Sequence, residues 1–135
     1  MDEPRYYNHA RTFNSSDSSF YFFGGYGFYQ YRNDLYRLKV GTKQIEGVTY
    51  SPAISPRYSS AAAIVGDELY LFGGRGNRQG KQEFNAHFYY ELCAINLKTG
   101  KSRCVWKKRQ STDILMMASS MYFEPSDSSF YAVSM

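Results

Sequence analysis

Hydrophobic and polar positions alternate along this chain in short runs, and the runs come back at a fixed spacing. Phe20-Tyr21-Phe22-Phe23 and Leu69-Tyr70-Leu71-Phe72 each lead into a glycine pair, Gly24-Gly25 and Gly73-Gly74, a spacing of 73 − 24 = 49 residues. Self-similarity at such a period predicts one supersecondary unit per copy. A period-two pattern follows in each, Asn33-Asp34-Leu35-Tyr36-Arg37-Leu38 matching Tyr90-Glu91-Leu92-Cys93-Ala94-Ile95. Alternation of this kind is that of a strand with both faces in contact with neighbours. A third copy opens at Phe130-Tyr131-Ala132-Val133, with Ser134-Met135 where glycines would sit. No stretch has helical periodicity of useful length.

The flanks of the runs repeat as well. Pro4-Arg5-Tyr6-Tyr7 opens the first unit and Pro56-Arg57-Tyr58-Ser59 the second, each before a short strand, over 8–13 and 60–65. Gly66-Asp67 is a two-residue hairpin signal. The tetrapeptide Ser16-Asp17-Ser18-Ser19 recurs as Ser126-Asp127-Ser128-Ser129, which points to internal duplication. The turn Lys98-Thr99-Gly100-Lys101 leads to a fourth strand ending near Trp106. The units so defined are 1–55, 56–113 and 114–135. Each of the first two carries four strands, and the third carries the inner ones.

Composition supports an all-β chain. Aromatics make up 19% of 135 residues, with 14 Tyr and 10 Phe, and such side chains suit a pleated, half-buried surface. No apolar run reaches the ~18 residues of a membrane span. The first residues lack the apolar core of a signal peptide, so either the parent is cytoplasmic or an export signal lies upstream, the second being preferred because these residues already read as the start of a repeat. The net charge of +4 has its densest basic run from Lys101 to Arg109. Nucleic-acid or anionic-glycan binding is one reading of that run. An edge strand whose lysines discourage edge-to-edge pairing is the preferred one, so no nucleic-acid partner is expected.

Pro-Arg, an apolar strand, Leu-Tyr-Leu-Phe-Gly-Gly, a variable loop and Asn-Asp-Leu-Tyr together resemble the kelch repeat, over nearly the whole chain. The resemblance implies a β-propeller of four-stranded antiparallel blades, here about two and a third of them. The Trp that the repeat has after its last turn is replaced near Ile45 and Ser102, so Tyr50 and Trp106 are expected to anchor the packing between blades. Propellers close a ring of four to eight blades, and repeat units bury their faces only against neighbours. A piece of a longer propeller is therefore the expected state, with closure by self-association or another compact β arrangement as alternatives. The Tyr-rich, His-poor repeats are similar to those of bacterial cell-surface or periplasmic sensors, which sets the expected compartment of the parent; nothing in this chain fixes it.

Candidate chemistry is sparse. His9 and His87 are the only histidines, and neither has metal-motif spacing. A kelch-type copper oxidase would need two His and two Tyr ligands, one Tyr cross-linked to Cys, and no matching cluster is present. No metal, cofactor or catalysis is expected. Asp2-Glu3, and Asp34 with Glu91, are read as structural. Cys93 and Cys104 depend on register. Pairing Asn96 with Lys101 puts them directly opposite, within disulfide range, whereas a two-residue Thr99-Gly100 turn leaves them diagonal. Free packed thiols and a cross-strand disulfide both stay open, the former preferred.

Binding is the expected role. The resemblance implies that loops 26–32 and 75–89 crowd one mouth of the ring. The residue after the double glycine maps onto Tyr26 and Arg75, and the residue three after the opening Pro onto Tyr7 and Ser59. Asn77 lies in the same polar loop. Gly24, Gly25, Gly73 and Gly74 are structural. Arg supplies a rigid fork for carboxylates and Tyr a flat amphipathic contact, which suits an acidic peptide, an anionic sugar or a glycan. These side chains could equally do no more than tie the loops together. Three functions are weighed: a non-catalytic protein- or peptide-recognition module, extracytoplasmic carbohydrate binding, and a fragment of a propeller enzyme (copper oxidase or sugar-acid isomerase) whose active residues lie in other blades.

Overall fold

A computed structural model of the chain describes residues 7–108 and 114–134. The sequence features at Asp2, Glu3, Pro4, Arg5, Tyr6, Arg109 and Met135 lie outside those residues. Fifteen strands and no helices are found among them. The first unit holds β1 (Ala10–Asn14), β2 (Ser19–Phe23), β3 (Tyr26–Gly27), β4 (Gln30–Tyr31), β5 (Leu35–Lys39) and β6 (Gln44–Val48). The second holds β7 (Arg57–Tyr58), β8 (Ala61–Val65), β9 (Glu68–Phe72), β10 (Arg75–Gly76), β11 (His87–Phe88), β12 (Glu91–Asn96) and β13 (Ser102–Lys107). The third contributes β14 (Tyr122–Glu124) and β15 (Ser129–Tyr131).

The chain is all-β and its sheets are antiparallel. Strands β1-β2-β5-β6 form one four-stranded meander and β8-β9-β12-β13 another of the same connectivity. In both, a small ribbon interrupts the path between the second and third strands: β3-β4 in the first unit, and β10 paired to β11 and β7 in the second. The β14-β15 hairpin stands alone, and none of these sheets closes on itself. Strand β13 is the end strand of its sheet, and its residues beyond Ser102 are exposed. That is where the basic run was expected.

Repeated sequence produces repeated local structure. In the first unit Tyr21 donates its hydroxyl to the Asp17 carboxylate at 2.5 Å, and in the third Tyr131 donates to Asp127 at 2.8 Å. Ser18 and Ser128 both sit at φ 53. In both turns the next serine, Ser19 or Ser129, donates its hydroxyl to the Asp17 or Asp127 carbonyl at 3.3 Å. Gly66 sits at φ 61 in the two-residue turn that pairs Val65 with Glu68.

Strand alternation sends each unit's two faces to different neighbours. Tyr21, Phe23, Leu35 and Ala10 of the first unit pack with Ala62, Leu69, Leu71, Cys93 and Ile95 of the second. The opposite face of the second unit, Ala61, Ala63, Tyr70, Phe72 and Leu92, packs with Ile114, Met116, Met121 and Phe130. The three alanines of β8 thus serve two cores in turn, and their small size lets flanking sheets approach. Tyr50 joins the first core, its ring 6.2 Å from Phe23 and its hydroxyl donating to the Asn33 carbonyl at 2.7 Å. Trp106 packs on Phe72 and Tyr90 but stays 43% exposed.

The glycine pairs mark where one unit meets the next. Gly24 and Gly25 have φ 71 and 109, and Gly73 and Gly74 have φ 73 and 100, a region that side chains other than glycine rarely adopt. A methyl on Gly24 would run into the Arg57 carbonyl oxygen, and one on Gly73 into the Met116 side chain. The Gly25 amide donates to that same Arg57 carbonyl at 2.9 Å. No other residue type leaves room for both contacts.

Candidate functional site

The variable loops of the first two units are hydrogen-bonded to each other. The Tyr31 amide donates to the Gly80 carbonyl at 2.8 Å and the Gln82 amide to the Tyr29 carbonyl at 3.0 Å. Together with Asn8 and Tyr58 of β7 they enclose an open depression of about 510 Å³. Its lining includes Tyr26, Tyr31, Tyr58, Arg75, Gln82 and Phe84.

Three tyrosines form one wall. Tyr31 and Tyr58 are stacked, with centroids 5.9 Å apart and planes 9° from parallel. Tyr26 lies 5.5 Å from Tyr31 and 6.0 Å from Tyr58 at steeper angles. Strand pairing sets this wall: Tyr26 faces Tyr31 across the β3-β4 ribbon, and Tyr58 faces Arg75 across β7-β10. Burial holds the Tyr31 hydroxyl above its usual pKa. The Arg75 guanidinium lies over the Phe88 ring at 5.3 Å, a cation–π seat for its flat head. The Tyr26 hydroxyl donates to the Gln82 side chain, tying the first unit's ribbon to the second unit's loop.

The expected site residues separate into two groups. Tyr26 and Arg75 come together in the depression. Asn77 is 1% exposed, and its amide bonds the Lys81 and Phe84 carbonyls, so it shapes the loop from inside. Ser59 is buried, donates its hydroxyl to the Met116 carbonyl at 2.6 Å and its amide to the Asn8 carbonyl, and so joins all three units. Tyr7 is 72% exposed and exchanges backbone bonds with Tyr26 outside the lining. Sequence reasoning passed over Tyr31 and Tyr58. Both were within reach of it, since Tyr31 lies inside the loop already singled out and Tyr58 directly precedes Ser59.

The residue before Tyr58 forms a buried ion pair. Arg57, 1% exposed, donates to Glu91 at 2.5 Å and to the Gly73 and Ser55 carbonyls, and its guanidinium lies 3.9 Å above the Tyr89 ring. A buried pair is stabilising only when its remaining donors are matched, and here carbonyls take them. Burial raises the pKa of the Tyr89 hydroxyl beside it. Glu91 is thus structural, as its place in the repeat suggested. Its counterpart Asp34 pairs with the neighbouring Arg32 at 2.6 Å instead.

The two thiols sit in the directly opposed register. Cys93 pairs with Cys104, just past a bulge at Leu92/Cys93, and the sulfurs lie 2.9 Å apart. Both cysteines are free, Cys93 buried and Cys104 exposed. His9 packs edge-on against Phe22 at 5.1 Å, while His87 is exposed in β11. Among the described residues the one cluster with metal-ligand potential is Glu91, Cys93 and Cys104.

No protein-family profile matches the chain. A similarity is found to a probable serine/threonine-protein kinase of Dictyostelium discoideum, 34% identical over 79 residues, covering 56% of this chain and 6% of that protein. The chain thus spans a small fraction of the length of the relative it matches.

Proposed function

We propose that this chain is part of a kelch-type β-propeller serving as a non-catalytic recognition module, with the tyrosine-walled depression as its ligand seat. The observation that carries the reading is the convergence there of Tyr26 and Arg75, equivalent positions of two successive units, beside the stacked Tyr31 and Tyr58. An aromatic wall with one fixed guanidinium suits a ligand that pairs a carboxylate with a flat or apolar body. An acidic peptide meets that description.

Two further features support the propeller reading. The meanders share one connectivity, and equivalent faces recur at each junction between units. The outer faces left open belong to the same series: Phe20 and Phe22 occupy the positions of Leu69 and Leu71, and the exposed Tyr131 and Val133 those of Tyr70 and Phe72. Further units of the same kind, or other copies of the chain, would cover them. Carbohydrate binding is the second reading, favoured by the ring faces of the tyrosine wall.

The test is an array of acidic peptides and uronic-acid oligosaccharides, probed with wild type, Arg75→Ala and Tyr58→Ala. Carboxylate-dependent binding that falls about tenfold or more in both variants, with circular dichroism unchanged, is expected. Equal binding by all three proteins would remove the depression as the seat, and preference for the sugars over the peptides would select the second reading.

A further inference from the structure

The Cys93–Cys104 pair plays no part in the depression, yet it is placed for chemistry. Counted from the Asn96–Lys101 end of the hairpin, where the Asn96 amide donates to the Lys101 carbonyl, the alternation of the ladder makes Cys93–Cys104 a non-hydrogen-bonded pair. Opposed Cα atoms lie about 4.5 Å apart at such pairs, at the near edge of the disulfide range. The sulfurs already touch at 2.9 Å. The two thiols differ sharply in access, Cys104 being exposed and Cys93 sealed in the core between the first two units.

A cation is the weaker occupant of this cluster. Its third ligand, Glu91, is engaged by Arg57, so a metal would have to displace or sit beside a buried positive charge. Oxidation meets no such obstacle.

We propose that Cys93 and Cys104 form a reversible dithiol–disulfide couple that clamps the edge strand β13 onto its sheet. Glutathione disulfide, a two-electron oxidant, closes it in two exchanges. The Cys104 thiolate attacks one glutathione sulfur, the glutathione S–S bond breaks, one glutathione thiolate leaves, and Cys104 carries a mixed disulfide. The Cys93 thiol then gives up its proton to the departed thiolate, and its sulfur attacks the Cys104 sulfur and expels the second glutathione. The two cysteines lose two electrons and two protons, and glutathione disulfide gains them as two glutathiones. Burial explains the order. It seals Cys93 in the core and leaves Cys104 open to solvent, so the exposed partner meets the oxidant first.

The clamp acts where β13 is weakest. Beyond Ser102, whose amide donates to the Ser51 carbonyl, this strand pairs on one side only, its ladder is broken by the bulge, and it carries Trp106, the chain's one Trp. Closing the bridge should hold Arg103, Cys104 and Val105 against fraying.

The full chain is equilibrated with glutathione disulfide or dithiothreitol, alkylated, digested and mapped, and backbone hydrogen exchange is followed in both states. A Cys93–Cys104 cross-linked peptide that dithiothreitol dissolves is expected, with exchange in β13 slowed about tenfold or more in the oxidised form. Cys104→Ser, at an exposed position, should abolish both effects and exchange like the reduced wild type. Thiols that stay fully alkylatable under oxidant, a reaction that halts at glutathionylated Cys104, or an oxidised form whose β13 exchanges as fast as the reduced one would each overturn the proposal.

Discussion

The junction between the first and second units and the one between the second and third are built from the same positions, yet they are buried to different depths. At the first, Tyr21, Phe23 and Leu35 are nearly sealed, none more than 3% exposed. At the second, the equivalent Tyr70, Phe72 and Leu92 are only partly buried. An apolar groove of about 370 Å³ runs there between Leu92, Trp106, Met116 and Phe130. The difference lies in the neighbour. Unit two brings Cys93 and Ile95 on a third strand to cover the first junction, whereas the described part of unit three brings a two-stranded hairpin and the segment before it. Burial of a repeat residue is therefore set by how many strands the adjoining unit presents, more than by its own type.

Truncating the equivalent phenylalanines tests that contrast most strongly. Phe23→Ala empties a sealed site and should destabilise by about 3–5 kcal/mol, while Phe72→Ala, bordering the open groove, should cost about half as much. Urea unfolding of both variants measures this, and equal losses would mean that the two junctions are equally packed.

A pH series sharpens it. Burial at the first junction pushes the Tyr50 hydroxyl up to about 12. A raised folded pKa means that the folded chain keeps a proton the unfolded chain releases near its ordinary value of about 10. The contribution is therefore complete below pH ~10 and is lost as pH rises towards 12. Tyr50→Phe should lower stability slightly at neutral pH and flatten the alkaline fall. Tyr21, Tyr31 and Tyr89, also raised by burial, would keep part of the slope. A thermal-melt series from pH 8 to 12 reads it, and an unchanged slope would place the alkaline sensitivity elsewhere.

The smallest effect compares the repeated turn in its two settings. Tyr21→Phe removes a hydroxyl bond inside a buried face and should cost about 1 kcal/mol. Tyr131→Phe removes the same bond from a side chain that is 57% exposed, where water replaces it, and should change stability by only a few tenths of a kcal/mol. Equal costs would show that the turn alone, and not its coverage, sets the value of the bond.

Much of the architecture could be read from order along the chain. Alternation in β2, β5, β9 and β12, the glycine pairs and the Ser-Asp-Ser-Ser turns are local signals, because backbone geometry and turn chemistry act over a few residues. The opposed register of the cysteines was one of two readings. It was settled by a turn at residues 97–100 in which the Asn96 side chain caps the Lys98 and Thr99 amides. The depression was legible in part. Tyr26 and Arg75 were found by their place after the glycine pairs. Asn77 and Ser59 turned out to spend their polar atoms on backbone partners, and a sequence does not record which distant carbonyl comes within reach.

The all-β character and the places of the main strands and turns followed from the residues in order, because alternation and turn propensity are short-range. The three-dimensional arrangement alone chose which faces are sealed, drew Arg57 over Tyr89 to meet Glu91 and stacked Tyr31 on Tyr58. Those outcomes depend on contacts between segments tens of residues apart, where packing and desolvation of the whole assembly decide.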